Sequence, residues 1–150
     1  MTLSRLTAAL FVAATVALPL AAQEPLKAPQ PGPADAAAAK LPLSKLSPAK
    51  IRPNQCLLTY RVSTRSPECQ AHFDQGLGYF YSYVWMEAAR SFETALRHDP
   101  DCPMAWWGLA RSLERWGRGD ATKALLKAWE LRASASDREQ LLIKASMQEK

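Results

Sequence analysis

The sequence predicts an all-α fold of antiparallel helical hairpins, set behind a leader and a disordered linker. Three observations predict it. Residues 73–100, FDQGLGYFYSYVWMEAARSFETALRHDP, read as two short helices folded back on each other. The stretch that follows repeats the same spacing of small and bulky residues. Caps and breakers then divide residues 66–150 into successive helices, each short enough for one layer of a bundle.

Residues 1–22 have the form of an export signal. Arg5 supplies the positive start, Leu6 to Leu20 is apolar except at Thr7, Thr15 and Pro19, and Ala21-Ala22 offers small residues for cleavage. The apolar core is shorter than the ~20 residues a membrane span needs. Signal cleavage therefore leaves no stable span, and the mature chain is expected to be periplasmic or extracellular. Residues 23–50 read as a disordered linker, interrupted by six prolines from Pro25 to Pro48 and made basic by Lys27, Lys40, Lys45 and Lys50. In residues 51–65, Leu58, Tyr60 and Val62 alternate with Thr59, Arg61 and Ser63, and no second strand is present to pair with them. An extended arm against the first helix, or a short irregular loop, is expected there.

The first helix starts at Ser66-Pro67-Glu68, where Ser66 caps free amides, Pro67 suits the first turn and Glu68 faces the positive helix end. It runs to about Tyr81. The turn that follows has neither Gly nor Pro to mark it. A second helix runs from Trp85 to Arg97 and is stopped by Asp99-Pro100. The third runs from Pro103 to Trp116 and breaks at Gly117 and Gly119. Asp120 caps a fourth, which reaches about Arg132. Ser136-Asp137-Arg138-Glu139 is a capping box that opens a fifth, with Leu141, Leu142 and Ala145 as its apolar stripe and Ile143 beside it.

At an offset of 34 residues Gly76 maps to Ala110, His72 to Trp106, Phe73 to Trp107 and Tyr79 to Leu113. Ala88, Phe92 and Ala95 map to Ala121, Leu125 and Ala128 at an offset of 33. Close-crossing helices need a small residue at the contact and bulky ones beside it. Phe92 and Trp106 are expected in the core. The period and the Gly76, Tyr79, Ala88, Phe92, Ala95, Pro100 pattern resemble the tetratricopeptide repeat (TPR). The first unit matches well and the second is degenerate. The arrangement resembles exported bacterial TPR proteins, and it implies an α-α superhelix over residues 66–150, of two hairpins plus a fifth helix. Repeat arrays want about three units. Either the chain is the front piece of a longer repeat protein, which is favoured, or the fifth helix is a terminal cap that pairs between subunits.

The resemblance implies a concave groove, lined by the first helix of each hairpin, that binds a peptide or protein partner. On its groove positions stand Gln70, Phe73, Leu77, Phe80 and Tyr81, then Met104, Trp107, Arg111, Glu114 and Arg115. Core packing is the competing role for each aromatic. The family's carboxylate-clamp subtype uses Lys and Asn where Phe73 and Leu77 stand here, which argues against capture of chaperone tails.

Charge and motifs exclude other classes. Lys and Arg number 19 against 14 Asp and Glu, a net of +5 that lies largely in the linker, so nucleic acid is not implied. The two histidines, His72 and His98, stand beside no paired nucleophile. His98-Asp99-Pro100-Asp101-Cys102 contains metal-type donors but reads as a turn between repeats, so no metal or other cofactor is expected. Arg118-Gly119-Asp120 reads as a helix break and a cap rather than an adhesion motif. Three cysteines leave one over from any single bridge. Helices pack about 9 Å apart, beyond the roughly 7 Å Cα separation a disulfide spans. That spacing disfavours Cys69–Cys102; Cys56 and Cys69 flank a short loop-like stretch and could meet, so that pairing is favoured, with three free thiols as the alternative. The expected function is thus an exported TPR-type scaffold without catalysis of its own. Two alternatives stand beside it: a structural protein that self-associates through Leu141 and Leu142, and the N-terminal helper of a longer exported enzyme.

Overall fold

Five α-helices carry most of the described residues of the computed structural model, which are 39–53 and 58–149, and no strand occurs among them. The expected export signal, the linker as far as residue 38, and Cys56 lie outside the described residues. No described helix is long and apolar enough to cross a membrane.

Helix α1 (Pro67–Tyr81) opens as its residues dictate: the Ser66 hydroxyl accepts the Cys69 N–H at 3.0 Å, and Pro67 occupies the first turn. The chain then reverses over three residues. Tyr83 takes φ 63°, the left-handed region that glycine normally fills. Helix α2 (Trp85–His98) ends with Arg97 and His98 at its negative pole. Helix α3 (Pro103–Trp116) ends at Gly117, whose φ of 69° turns the next N–H, that of Arg118, back to Leu113 O at 3.2 Å. Asp120 accepts the Lys123 N–H at 2.8 Å and starts α4 (Ala121–Leu131). A single 3-10 turn, Arg132–Ser134, leads to α5 (Asp137–Gln148).

Each helix packs on the next, and in addition α1 touches α3 and α3 touches α5. The first and third helices therefore lie alongside each other. The core between them is organised on Phe92 of α2. Its ring is wedged between Gly76 of α1 and Gly108 of α3. A methyl group at Gly76 would come within 2.9 Å of the ring, and one at Gly108 within 2.6 Å. Phe73 meets the same ring at 5.3 Å between centroids. The small residue that admits Phe92 on α3 is thus Gly108. Ala110, which the repeat offset singles out, is buried but is not that contact. Trp106, expected in the core, is only half-buried and donates Nε1–H to Pro100 O at 2.7 Å.

The fifth helix corrects its expected stripe. Leu141 is 65% exposed and Ala145 is exposed, whereas Glu139, Ile143 and Ser146 are buried. That set has helical spacing, i, i+4, i+7. Two of its members are polar, so a stripe read from apolar residues alone misses it.

Residues 39–53, where the sequence suggests the end of the linker, run along α2. Leu41 is fully buried. The N–H groups of Leu43 and Ser44 both donate to the buried Glu93 carboxylate, and Ala49 N–H donates to Thr94 Oγ1 at 2.8 Å. The segment satisfies its backbone on helix side chains rather than in a ladder.

Candidate functional site

The face shared by α1, α3 and α5 is built around the arm at residues 58–65. Tyr60 N–H donates to Asp74 Oδ1 at 3.0 Å, and Val62 N–H donates to Gln70 Oε1 at 3.1 Å. Gln70 Nε2 returns a bond to Tyr60 O at 2.9 Å. Alternate residues of an extended chain advance about 6.8 Å, and one turn of helix about 6 Å over four residues. Gln70 and Asp74 therefore meet successive outward amides of the arm. Burial pushes the Asp74 carboxyl above its ordinary range, with the bonds from Tyr60 and Gln70 pulling the other way.

The arm continues to α5. Ser63 donates both its N–H, at 2.9 Å, and its hydroxyl to Glu139. Glu139 also accepts the Ser136 N–H and hydroxyl, each at 2.7 Å, and so closes the capping box. Burial pushes the Glu139 carboxyl up, but the bonds from Ser63 and Ser136 outweigh it and hold it below its ordinary value. Arg138 lies over the Tyr60 ring, 5.1 Å from its centroid, and the same ring is tilted against Phe73 with 6.4 Å between centroids.

Beside the arm is a hollow of about 650 Å³. Phe73, Leu77 and Tyr81 line it from α1, Met104 and Trp107 from α3, Leu58 and Tyr60 from the arm, and Arg138 and Leu142 from α5. Trp107 is fixed by its Nε1–H, which donates to Ser146 Oγ at 2.9 Å. Arg138 is the one charge in the lining, which otherwise offers apolar and aromatic surface with hydroxyls from Thr59 and the tyrosines. Such a surface can take an apolar side chain and pair with a carboxylate at its edge.

Five of the ten groove residues expected from sequence come together here: Phe73, Leu77, Tyr81, Met104 and Trp107. The other five do not line the hollow. Phe80 packs on Trp85 at 5.1 Å between centroids. Arg111 is paired with Glu149 at 2.6 Å and Glu114 at 3.6 Å. Arg115 is exposed. The arm and Arg138 are lining that the repeat pattern does not signal. Exposed Leu142 was visible as an uncovered apolar residue.

A second cluster sits where α1 and α3 begin. Cys69 Sγ, Cys102 Sγ and an Asp99 carboxylate oxygen lie within 4.8 Å of one another, and both cysteines are fully buried thiols. This corrects the expectation that helix spacing keeps the pair apart. Cys69 is in the first turn of α1 and Cys102 caps α3. The expected Cys56–Cys69 pairing involves a residue outside the described ones. The hydrogen bond from Cys102 lowers the Cys69 thiol and raises its own, with burial adding to the rise at Cys102. Next to the cluster His72 stacks on His98 at 5.4 Å. Burial, then His98, pushes His72 down to about 4. Searches of family models, curated proteins and solved structures found no match to this chain.

Proposed function

We propose that this chain is an exported, TPR-type binding module that holds an extended peptide or protein segment against α1, α3 and α5, without catalysis of its own. One observation carries the reading. The chain's own arm already lies on that face in an extended form, held by the Gln70 amide and the Asp74 carboxylate. The hollow beside it continues the same surface with aromatic walls, of the kind that anchors partners. Export rests on the apolar leader before the linker. The preferred ligand has an aromatic or aliphatic side chain for the hollow and an acidic neighbour for Arg138.

Selection of displayed random peptides on the full chain tests this. The expected enrichment is for an apolar residue next to Asp or Glu. Leu142→Asp, at an exposed rim position, is expected to weaken the selected peptides at least about tenfold, equivalent to ~1.4 kcal/mol, with helicity unchanged. Peptides that bind wild type and Leu142→Asp alike refute the groove. The exposure of Leu141 favours a second reading, self-association through α5. Light scattering separates the two, since a monomer at all concentrations excludes it.

A further inference from the structure

We propose that Cys69 and Cys102 are joined by an intramolecular disulfide that staples the start of α1 to the start of α3. Both sulfurs are fully buried and lie against each other, within 4.8 Å. Each is held by its helix start: Ser66 fixes the Cys69 backbone, and Cys102 is the residue before Pro103. A bond between them brings the two sulfurs from within 4.8 Å to about 2.0 Å. The bridge joins residues 33 positions apart and encloses all of α2, so it ties one hairpin to the next.

A metal is the competing use of the cluster, and the donors argue against it. The Asp99 carboxylate is already engaged, accepting the Thr64 hydroxyl at one oxygen and the Asp101 N–H at 3.2 Å at the other. Cys69, Asp99 and Cys102 make three donors, and the cluster includes no fourth among the described residues. A closed structural zinc site takes four.

The chemistry runs through a disulfide-bearing oxidant, either a small-molecule disulfide or a thiol–disulfide oxidoreductase. Cys69, the thiol favoured as thiolate by its neighbours, attacks one sulfur of the oxidant and expels the other as a thiolate. Cys102 then loses its proton and attacks Cys69 Sγ, expelling the second. The chain gives up two electrons and two protons, and the oxidant becomes two thiols. The step takes place as the hairpins dock, and burial afterwards shields the bond from reductant. Met104 and Phe73 follow the bridged residues closely on α3 and α1, so the staple sets the spacing at one end of the hollow. The inference holds whatever the hollow binds.

The test is peptide mapping of the full chain after refolding in oxidised and reduced glutathione and alkylation without reductant. The expected product is a Cys69–Cys102 linked pair, lighter by two hydrogens than the thiol forms, in both wild type and Cys56→Ser. Refolding in reductant should lower Tm by on the order of 10 °C in those two proteins. Neither Cys69→Ser nor Cys102→Ser should show that drop. Linkage through Cys56, alkylation of both Cys69 and Cys102, or zinc added alone that binds and protects both thiols each overturns the proposal. The mapping needs only wild type, so a variant that fails to fold leaves it decisive.

Discussion

Replacing Gly108 with alanine tests the centre of the fold. A methyl group there would sit 2.6 Å from Phe92 Cε1, 2.7 Å from Cδ1 and 2.8 Å from Cζ. Carbon atoms rest comfortably at about 3.5–4.0 Å, so the ring would have to retreat by about an ångström. The same ring also packs against Gly76, where a methyl group would meet it at 2.9 Å, so there is little room for the retreat. Overpacking of this kind costs about 1–3 kcal/mol. Alanine returns about 1 kcal/mol of helix propensity. The net expectation is a loss of about 0–2 kcal/mol. In a Phe92→Leu background the smaller side chain removes the clash, and the same Gly108→Ala change should become neutral or stabilising. The two substitutions should therefore couple by about 2 kcal/mol in a double-mutant cycle. Urea unfolding followed by circular dichroism measures all four proteins. Gly117→Ala is the control, because Gly117 has φ 69° and open space around it. Its cost of about 1–2 kcal/mol is a backbone effect and should be the same in either background. Additive losses for Gly108→Ala and Phe92→Leu would refute the wedge.

Two further outcomes follow from buried ionisable groups. His72 is held at about 4, below the ordinary 6.5, so the unfolded chain takes up its proton first as pH falls. Its contribution is therefore fully present above pH 6.5 and lost on acidification towards pH 4, by at most about 3 kcal/mol. His98, stacked on it, opposes the added charge. His72→Leu should flatten the urea midpoint between these pH values, and profiles that stay parallel would contradict this. Glu139→Gln replaces the acceptor of four bonds from Ser63 and Ser136 and should cost about 2–3 kcal/mol. It should also raise hydrogen exchange at the Ser63 amide, and an unchanged exchange rate would argue that Glu139 does not hold the arm.

Helix boundaries were legible because their causes are local. Ser66-Pro67, Asp99-Pro100, Gly117 and Asp120 each act within a turn of themselves. What escaped the sequence acts over distance or against type. The turn after α1 carries no glycine because Tyr83 itself takes the left-handed conformation. The docking of residues 39–53 depends on Glu93 and Thr94, roughly half a hundred positions away. Gly108 was hidden because the repeat offset points to Ala110. The meeting of the Cys69 and Cys102 side chains was not legible because a packing distance between helix axes does not say where side chains at the helix starts lie. The hollow was half legible: the repeat pattern locates its α1 and α3 walls, while the arm and α5 that complete it follow no repeat.

One device recurs wherever extended chain meets helix in this protein. Gln70 and Asp74 hold residues 60 and 62. Gln75 accepts from Arg52 N–H at 2.8 Å and donates to Lys50 O at 3.2 Å. Glu93 and Glu139 each take two successive or paired donors from the chain crossing them. Gln70 and Gln75 are five residues apart, which at 3.6 residues per turn places them on different sides of α1. The chain before α1 therefore clasps that helix from two sides before entering it. This has a consequence for binding. An incoming segment that displaced the arm would have to replace the bonds from Tyr60, Val62 and Ser63 and re-cover buried Val62. One that lodged beside Tyr60 would displace only solvent from the hollow. The second course costs less, so on the proposed binding reading the arm would act as a fixed wall of the hollow, with Leu58 and Tyr60 part of its lining.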